Sequence, residues 1–292
     1  MRGGEGPAFV FVSTMSNNEQ AGINTPGDTA TSLPETGKDP YWIEALAQGL
    51  AVLEAFDGDQ PSLSQTDLAQ RLGWSRSKPY RFVHTLEKLG FLEREPVGRR
   101  YRLTARAMKL GFAYLNQLPL AELAQPVLNR LRTEVGASVH LAILDHDELV
   151  YVAQARIALP TSITIHIGSR MPAFASSIGR VLLAHRGAED VDRILGNGPL
   201  PALTDKSTVD PLRFRQKLAQ AREQGFVYND QEFHLGVRSI AAPILDAAGN
   251  AVAGLNATAM IYTFTDEVVE RTVIPAVVDA ARELSQCMGY RA

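Results

Sequence analysis

The chain has 292 residues, of which 45% are apolar, and a formal net charge of −3 at pH 7. This length and composition suit one large globular domain or two ordinary ones. The single cysteine, Cys287, excludes an intrachain disulfide and a cysteine-based zinc site, so a reducing cytoplasm is expected. The apolar runs fall far short of the roughly 18 residues that a membrane helix needs, and neither export nor membrane insertion is indicated.

The small net charge hides an uneven distribution. Residues 60–110 hold eleven Lys and Arg against four acidic residues, a local charge of +7, so the remainder of the chain carries −10. This asymmetry is typical of a phosphate-binding module joined to an acidic domain. Basic stretches are also often only solvated surface, and that alternative stays open at this point.

The first 39 residues are rich in Gly, Ser, Thr, Asn and Pro. Their few large apolar groups cannot offset the entropy of ordering the backbone, so a disordered tail is predicted for residues 1–39. Met15 within this tail is an alternative translation start to Met1.

Three helices are predicted next, within a domain that spans residues 40–103. Apolar residues at helical spacing predict a first helix over 41–56. A second helix follows Ser64, which forms a capping-box pattern with Asp67, and it ends at Gly73. Ser75 is predicted to cap a third helix that ends near residue 89. Two helices separated by three residues predict a helix-turn-helix.

The third helix has a polar, basic face opposite an apolar one. Residues 91–95 and 100–103 flank a short turn and predict a basic hairpin, or wing. A helix that enters the major groove of DNA needs donors for phosphate oxygens and base edges on one face, so a winged helix-turn-helix that binds double-stranded operator DNA is predicted. The candidate DNA-binding residues are Ser75, Arg76, Ser77, Lys78, Tyr80, Arg81, His84, Thr85, Arg99, Arg100 and Arg102.

Residues 104–119 are predicted to form a linker helix that is apolar on two sides. Such a surface suits packing against a second copy of the chain, and burial against the chain itself is an equal alternative.

Residues 120–292 change to a mixed pattern and predict an α+β domain with an antiparallel sheet flanked by helices. The predicted strands are 139–143, 149–154, 162–167, 226–229, 237–245 and 251–260, and the predicted helices are 123–135, 176–185, 211–224 and 266–288.

The order of these elements resembles the IclR family of bacterial transcription regulators over about 250 residues, from Tyr41 to the C-terminus. The motifs that carry the resemblance are 49–53, 80–82, 89–92, 150–152, 171–173, 176–180, 230–232 and 236–241. The resemblance implies a winged helix-turn-helix, a linker helix and an effector-binding domain similar to GAF domains, assembled as a dimer or a dimer of dimers.

A small-molecule effector site is also implied by this resemblance. Its residues would be Ser176, Ser177, Ile178, Asn229, Val237, Ser239, Asn256 and Thr258. Independently, residues 175–179 place two hydroxyls and backbone N–H groups at a helix start, which favours an anion such as a carboxylate. Strand alternation puts Val237 and Ser239 on one sheet face, and Asn256 and Thr258 likewise.

Residues 49–56, 80–82 and 225–242 are most similar to the regulators of aromatic-acid breakdown within the family. This similarity implies an aromatic acid effector such as 4-hydroxybenzoate or protocatechuate. A non-aromatic short-chain carboxylate is the alternative.

Three other classes of function are considered. A hydrolase could use Ser177 with His140, His166 or His234, but no G-x-S-x-G pattern is present, so the protein is predicted not to be an enzyme. The acidic turn at 145–148 could attract a metal, but consecutive turn residues rarely all face one ion, and neither metal nor cofactor is predicted. A docking protein whose helix-turn-helix no longer reads DNA is the third class.

Overall fold

The computed structural model describes residues 39–56, 60–157, 165–196 and 198–291. The N-terminal region contains three helices and an antiparallel sheet in the order β1-β3-β2. These elements are α1 (Glu44–Glu54), β1 (Ser62–Ser64), α2 (Gln65–Arg71), α3 (Pro79–Lys88), β2 (Leu92–Arg94) and β3 (Arg100–Leu103). One core, which includes Val52, Leu63, Leu68, Val83 and Leu92, joins the helices and strands. The predicted helix-turn-helix with its hairpin is confirmed. The predicted tail, with Met15, lies outside the described residues apart from Asp39.

The ends of α2 follow the predicted capping chemistry. The Ser64 hydroxyl accepts a hydrogen bond from the Asp67 N–H at 3.2 Å, and the Asp67 carboxylate accepts one from the Ser64 N–H at 2.9 Å. Gly73 ends this helix with φ of +64°, a left-handed conformation that glycine adopts without strain.

The prediction that Ser75 caps the third helix is wrong. Residues 76–78 form turns, α3 begins at Pro79, and no side chain caps it. Proline suits this position because the first helical N–H has no partner within the helix. The first helix is also shorter than predicted. Strand β1 was not predicted, because three residues are too few to show the alternation of a strand in the sequence.

Helix α4 (Ala105–Leu115) begins after Thr104, whose hydroxyl accepts a hydrogen bond from the Arg106 N–H. None of its residues is buried, and Met108, Leu110 and Phe112 expose half or more of their surface. Leu115, at the end of the helix, packs against the C-terminal core, but burial of the rest of the helix against its own chain is contradicted. The domain boundaries at 40–103, 104–119 and 120–292 stay predictions.

The C-terminal region is a six-stranded antiparallel sheet in the order β6-β5-β4-β9-β8-β7, and the α+β prediction is confirmed. Its strands are β4 (Ser138–Asp145), β5 (Glu148–Ala155), β6 (Arg170–Pro172), β7 (Val227–Asp230), β8 (Val237–Leu245) and β9 (Ala251–Met260). Its helices are α5 (Pro119–Val135), α6 (Ser177–Leu183), α7 (Ala188–Leu195), α8 (Pro211–Gln224), α9 (Asp266–Val268), a π-helical turn (Val269–Val273) and α10 (Ile274–Cys287).

The sheet lies between two layers of helices. On one face Val139, Leu141 and Leu255 pack in a core with α5 and α10. On the other face Ala142 and Ala241 pack with α6 and α8. Because side chains alternate along a strand, the residues next to Val139 and Leu141 face the α6 side.

Several elements differ from the sequence predictions. Helix α7 and strand β6 were not predicted. The strand predicted at 162–167 is wrong over 165–167, and 162–164 lie outside the described residues. The helix predicted at 266–288 contains the π-helical turn, which precedes Pro275. Proline has no N–H to continue the regular ladder, and this accounts for the wider turn. Among the described residues, no helix is long and apolar enough to span a membrane.

Candidate DNA-binding surface and effector site

Helix α3 has the two predicted faces. Pro79, Val83 and Leu86 are buried in the N-terminal core, whereas Arg81 and His84 are exposed. Of the candidate DNA-binding residues, Lys78 and Arg100 are half-buried and all others are exposed: Ser75, Arg76, Ser77, Tyr80, Arg81, His84, Thr85, Arg99 and Arg102. The exposed face therefore offers donors and an aromatic ring on one surface.

Two contacts that involve aromatic rings hold side chains of this surface in place. The Lys78 ammonium lies 4.5 Å from the centroid of the Trp74 ring, and the Tyr80 and His84 rings stack with centroids 6.2 Å apart. A cation held over an aromatic face loses freedom but keeps its charge. Within the described part of the chain, Arg76 and Arg81 form no salt bridge or side-chain hydrogen bond, so both guanidinium groups are available to a partner.

The wing arginines differ from one another. The Arg100 guanidinium lies 3.1 Å from the Asp67 carboxylate, and its Nε donates to the Ser62 hydroxyl at 3.1 Å. The Ser64 N–H and the Arg100 charge together hold the pKa of Asp67 below its usual range. Arg102 is paired with Glu93 at 2.6 Å. Arg100 therefore ties the wing to α2, and its role in DNA binding stays a prediction.

In the C-terminal region, polar side chains from α6, β4, β8 and β9 meet on the α6 side of the sheet. The Ser177 hydroxyl accepts hydrogen bonds from the Ser239 hydroxyl at 3.0 Å and from the Asn256 Nδ2 at 3.3 Å. Asn256 Nδ2 also donates to the Thr258 hydroxyl at 3.0 Å, and its Oδ1 lies 3.1 Å from His140 Nδ1. These five residues are named the polar cluster below. Four of them were predicted from the sequence.

The other predicted effector residues lie around this cluster in different roles. Ser176 caps α6 by accepting the Gly179 N–H at 2.8 Å, and Ile178 is fully buried between α6 and the sheet. Asn229 donates to the Ala175 carbonyl at 3.3 Å and accepts the Glu232 N–H at 3.1 Å. Val237 is buried near the start of β8.

Glu232, whose N–H is bonded to Asn229, belongs to a buried ion pair that the sequence did not predict. The Arg180 guanidinium lies 2.9 Å from Glu232 Oε1, and both side chains are less than a tenth exposed. Lys217 of α8 also approaches this carboxylate at 2.9 Å. Burial disfavours the carboxylate charge, but the hydrogen bonds and charges of Arg180 and Lys217 prevail and lower the pKa of Glu232 to about 2. The pair ties α6 and α8 to the loop after β7.

His140 is the member of the polar cluster that was considered only as a possible hydrolase base. Burial lowers its pKa to about 4, which the hydrogen bond with Asn256 only partly opposes. In the sequence it is one polar residue between the apolar Val139 and Leu141, and its partner Asn256 is 116 residues away. No local pattern could have connected them. Among the described residues, no histidine is hydrogen-bonded to the Ser177 hydroxyl.

A cavity of about 370 Å³ lies elsewhere, between α8, β7 and the π-helical turn. Phe214, Tyr228 and Val269 form part of its wall, and none of the predicted effector residues lines it.

The acidic turn at 145–148, which was considered as a metal site, pairs with an arginine. Arg170 lies 2.7 Å from Asp145 and 2.7 Å from Glu148. No group of three residues suited to a metal ion is found among the described residues.

Two family models match this chain. The IclR helix-turn-helix domain matches residues 45–96, and the C-terminal domain of the bacterial transcriptional regulator IclR matches residues 112–286, more than half of the chain. The chain belongs to the IclR family. It is therefore a transcriptional regulator, and IclR regulators bind operator DNA and small-molecule effectors and are not enzymes. The alternatives of a Ser177 hydrolase and of a docking protein that ignores DNA have no support from this family.

Similar proteins include regulators named for aromatic metabolism. The chain is 35% identical to the Pca regulon regulatory protein of Pseudomonas putida, with 84% of each chain covered. It is 31% identical to the p-hydroxybenzoate hydroxylase transcriptional activator of Acinetobacter baylyi, covering 83% of this chain and 91% of that one. A solved structure of an IclR homolog from Microbacterium hydrocarbonoxydans, in complex with 4-hydroxybenzoate, is similar with a TM-score of 0.73, 27% identity and coverage of 84% and 99%.

Proposed function

We propose that this IclR regulator reads operator DNA with the exposed face of α3 and the wing, and that an aromatic carboxylate bound at the polar cluster changes its affinity for DNA. 4-Hydroxybenzoate and protocatechuate are the effectors we expect. As a regulator that acts on DNA, it would work in the cytoplasm.

One observation carries the effector part of this proposal. Hydroxyl, amide and imidazole groups from four separate elements converge and bond mainly to one another; His140, Ser177 and Asn256 are buried, and Ser239 and Thr258 are half-buried. Buried polar groups are costly unless paired, and a small number of convergent polar groups among apolar walls is the usual composition of a small-molecule site. The names of two relatives and the ligand of one similar structure support an aromatic acid.

The effector is tested by thermal unfolding and calorimetry on the full chain. We expect 4-hydroxybenzoate or protocatechuate to raise the unfolding temperature, because a ligand that binds only the folded state stabilises it by mass action. Acetate and succinate serve as short-chain carboxylates. A response to these alone would contradict the aromatic assignment, and no response to any acid would contradict the effector class.

The site is tested with Ser239→Leu, which fills the polar cluster with an apolar side chain. We expect this variant to lose the effector's influence on DNA while it keeps its affinity for a duplex selected from a random-sequence library. Thr133→Leu, which places the same side chain on the exposed surface of α5, is the control. Unchanged effector affinity in Ser239→Leu would place the site elsewhere.

The proposal includes self-association through α4. Met108, Leu110, Phe112 and Tyr114 each expose about half of their surface or more. At about 100° per residue, Met108 and Phe112 lie on one side of the helix and Leu110 and Tyr114 on another, so α4 exposes large apolar side chains on two sides, and exposed apolar surface of this kind marks an interface. We expect a dimer, or a dimer of dimers, and Leu110→Lys should shift it toward monomer in analytical ultracentrifugation. A monomer in the unaltered chain at micromolar concentration would contradict this part.

A further inference from the structure

Two buried acceptor atoms lie opposite each other beside the polar cluster. His140 Nε2 and Gln154 Oε1 are both enclosed, and neither has a hydrogen-bond partner among the residues that the structure describes. The two residues are directly paired across β4 and β5, so their side chains leave the same face of the sheet. Native proteins contain few such atoms, and each one calls for an explanation.

The hydrogen-bond network determines what His140 Nε2 can accept. Asn256 uses its Nδ2 protons on the Ser177 and Thr258 hydroxyls, which leaves only its Oδ1 to face His140 Nδ1. The Nδ1 atom must then carry the imidazole proton, and Nε2 is left with a lone pair. Because burial lowers the pKa of His140 to about 4, this neutral form persists at neutral pH.

Both unpaired atoms are therefore acceptors, and they require donors. A carboxylate cannot supply a donor, because both of its oxygens only accept. A hydroxyl group can. The Tyr151 ring meets the His140 ring edge-on at a centroid distance of 5.8 Å, so an aromatic side chain also lies at this corner.

We propose that the effector carries two adjacent hydroxyl groups on its ring, one donating to His140 Nε2 and the other to Gln154 Oε1, with its carboxylate directed away from this pair. This inference rests on the proposed function, since it assumes that an aromatic acid binds at the polar cluster. Directly opposed residues on neighbouring antiparallel strands hold their Cβ atoms about 5 Å apart, so adjacent ring substituents can reach both acceptors. A ring with one hydroxyl would leave one acceptor without a donor.

The test is calorimetric titration of the full chain with three acids of one series: 3,4-dihydroxybenzoate, 4-hydroxybenzoate and benzoate. We expect the dihydroxy acid to bind about tenfold tighter than the monohydroxy acid, because the latter leaves a buried acceptor unpaired. Equal affinities of these two acids would overturn the inference and leave the proposed function standing. No binding of any of the three would overturn the proposed function, and this inference with it.

The variant Gln154→Leu tests whether Gln154 accepts the second hydroxyl group. Gln154→Leu should lower the affinity for 3,4-dihydroxybenzoate about tenfold, to near that of 4-hydroxybenzoate, and should leave the affinity for benzoate unchanged. Gln286→Leu, on the exposed surface of α10, is the matched control and should bind all three acids normally. If Gln154→Leu retains the full preference for the dihydroxy acid, or if it weakens all three acids equally, Gln154 is not a hydroxyl acceptor.

Discussion

The two candidate binding surfaces of this regulator are built in opposite ways. On α3, Arg81 is exposed and has no side-chain partner among the described residues, whereas in the polar cluster Ser177 is 1% exposed and accepts two hydrogen bonds. A DNA surface can be prepared by charge alone on one helix, with water as its partner until DNA arrives. A buried effector site must be held by the fold. Substitutions around the polar cluster should therefore reduce stability, and those on the exposed face of α3 should reduce binding only.

The largest effect is expected at the ion pair beside the polar cluster. Glu232→Ala leaves the Arg180 guanidinium buried without its carboxylate, and removal of one partner of a buried pair typically costs about 3–5 kcal/mol. Chemical denaturation would measure the free energy of unfolding. Asp192→Ala removes a carboxylate that pairs with Arg215 on the surface, and this control should cost less than about 1 kcal/mol. Similar losses in both variants would contradict the difference between buried and exposed charges.

The same carboxylate predicts a dependence of stability on pH. Its pKa in the folded chain is about 2, below its ordinary value of 4.5, so its contribution is complete above pH 4.5 and is lost as the pH falls from 4.5 toward 2. Denaturation curves between pH 6 and 3 should show less loss of stability in Glu232→Gln than in the unaltered chain. Parallel loss in both would mean that other carboxylates control acid unfolding.

A second effect on stability is expected where α6 approaches the chain before it. A Cβ atom on Gly179 would lie 2.0 Å from the Ala173 carbonyl oxygen, which belongs to the backbone and cannot turn aside. Gly179→Ala should therefore cost about 3 kcal/mol and disturb Ser177, two residues earlier in the same helix. Gly187→Ala, in open space before α7, should cost no more than about 1 kcal/mol. If Gly179→Ala has the same free energy of unfolding as the unaltered chain, then α6 can shift away from the Ala173 backbone without cost.

The contrast also explains what the sequence could predict. The two faces of α3 follow from charge and helical spacing within ten residues, so Arg81 and Val83 were assigned correctly to their faces. Ser177, Ser239, Asn256 and Thr258 were found through the family resemblance and strand alternation. The place of His140 in the polar cluster and the unpaired Gln154 Oε1 were not predicted, because both depend on strand pairing and on what the neighbouring side chains leave unbonded. The late start of α3 was missed because Ser75 is an equally good start for a turn.

On the DNA surface, the expected effect is on binding and not on folding. Arg81→Ala should weaken binding to a selected operator duplex by about 1–3 kcal/mol if Arg81 contacts a base, and should weaken binding to a scrambled duplex much less. The thermal stability should not change, because the side chain is exposed. Fluorescence anisotropy on both duplexes measures this difference. Equal losses on the two duplexes would remove Arg81 from sequence reading and leave it as a phosphate contact.

The smallest effects separate the two neighbouring arginines of the wing. Arg99 is exposed and unpaired within the described residues, so Arg99→Ala should weaken all duplexes alike and reduce the slope of log affinity against log salt by about 1. Arg100 is held by Asp67 and Ser62, and Arg100→Ala should instead lower the stability of the N-terminal region by up to about 1 kcal/mol. If Arg100→Ala reduces the salt slope and leaves stability unchanged, then Arg100 leaves Asp67 for a phosphate when DNA binds, because the same guanidinium cannot serve both partners at once.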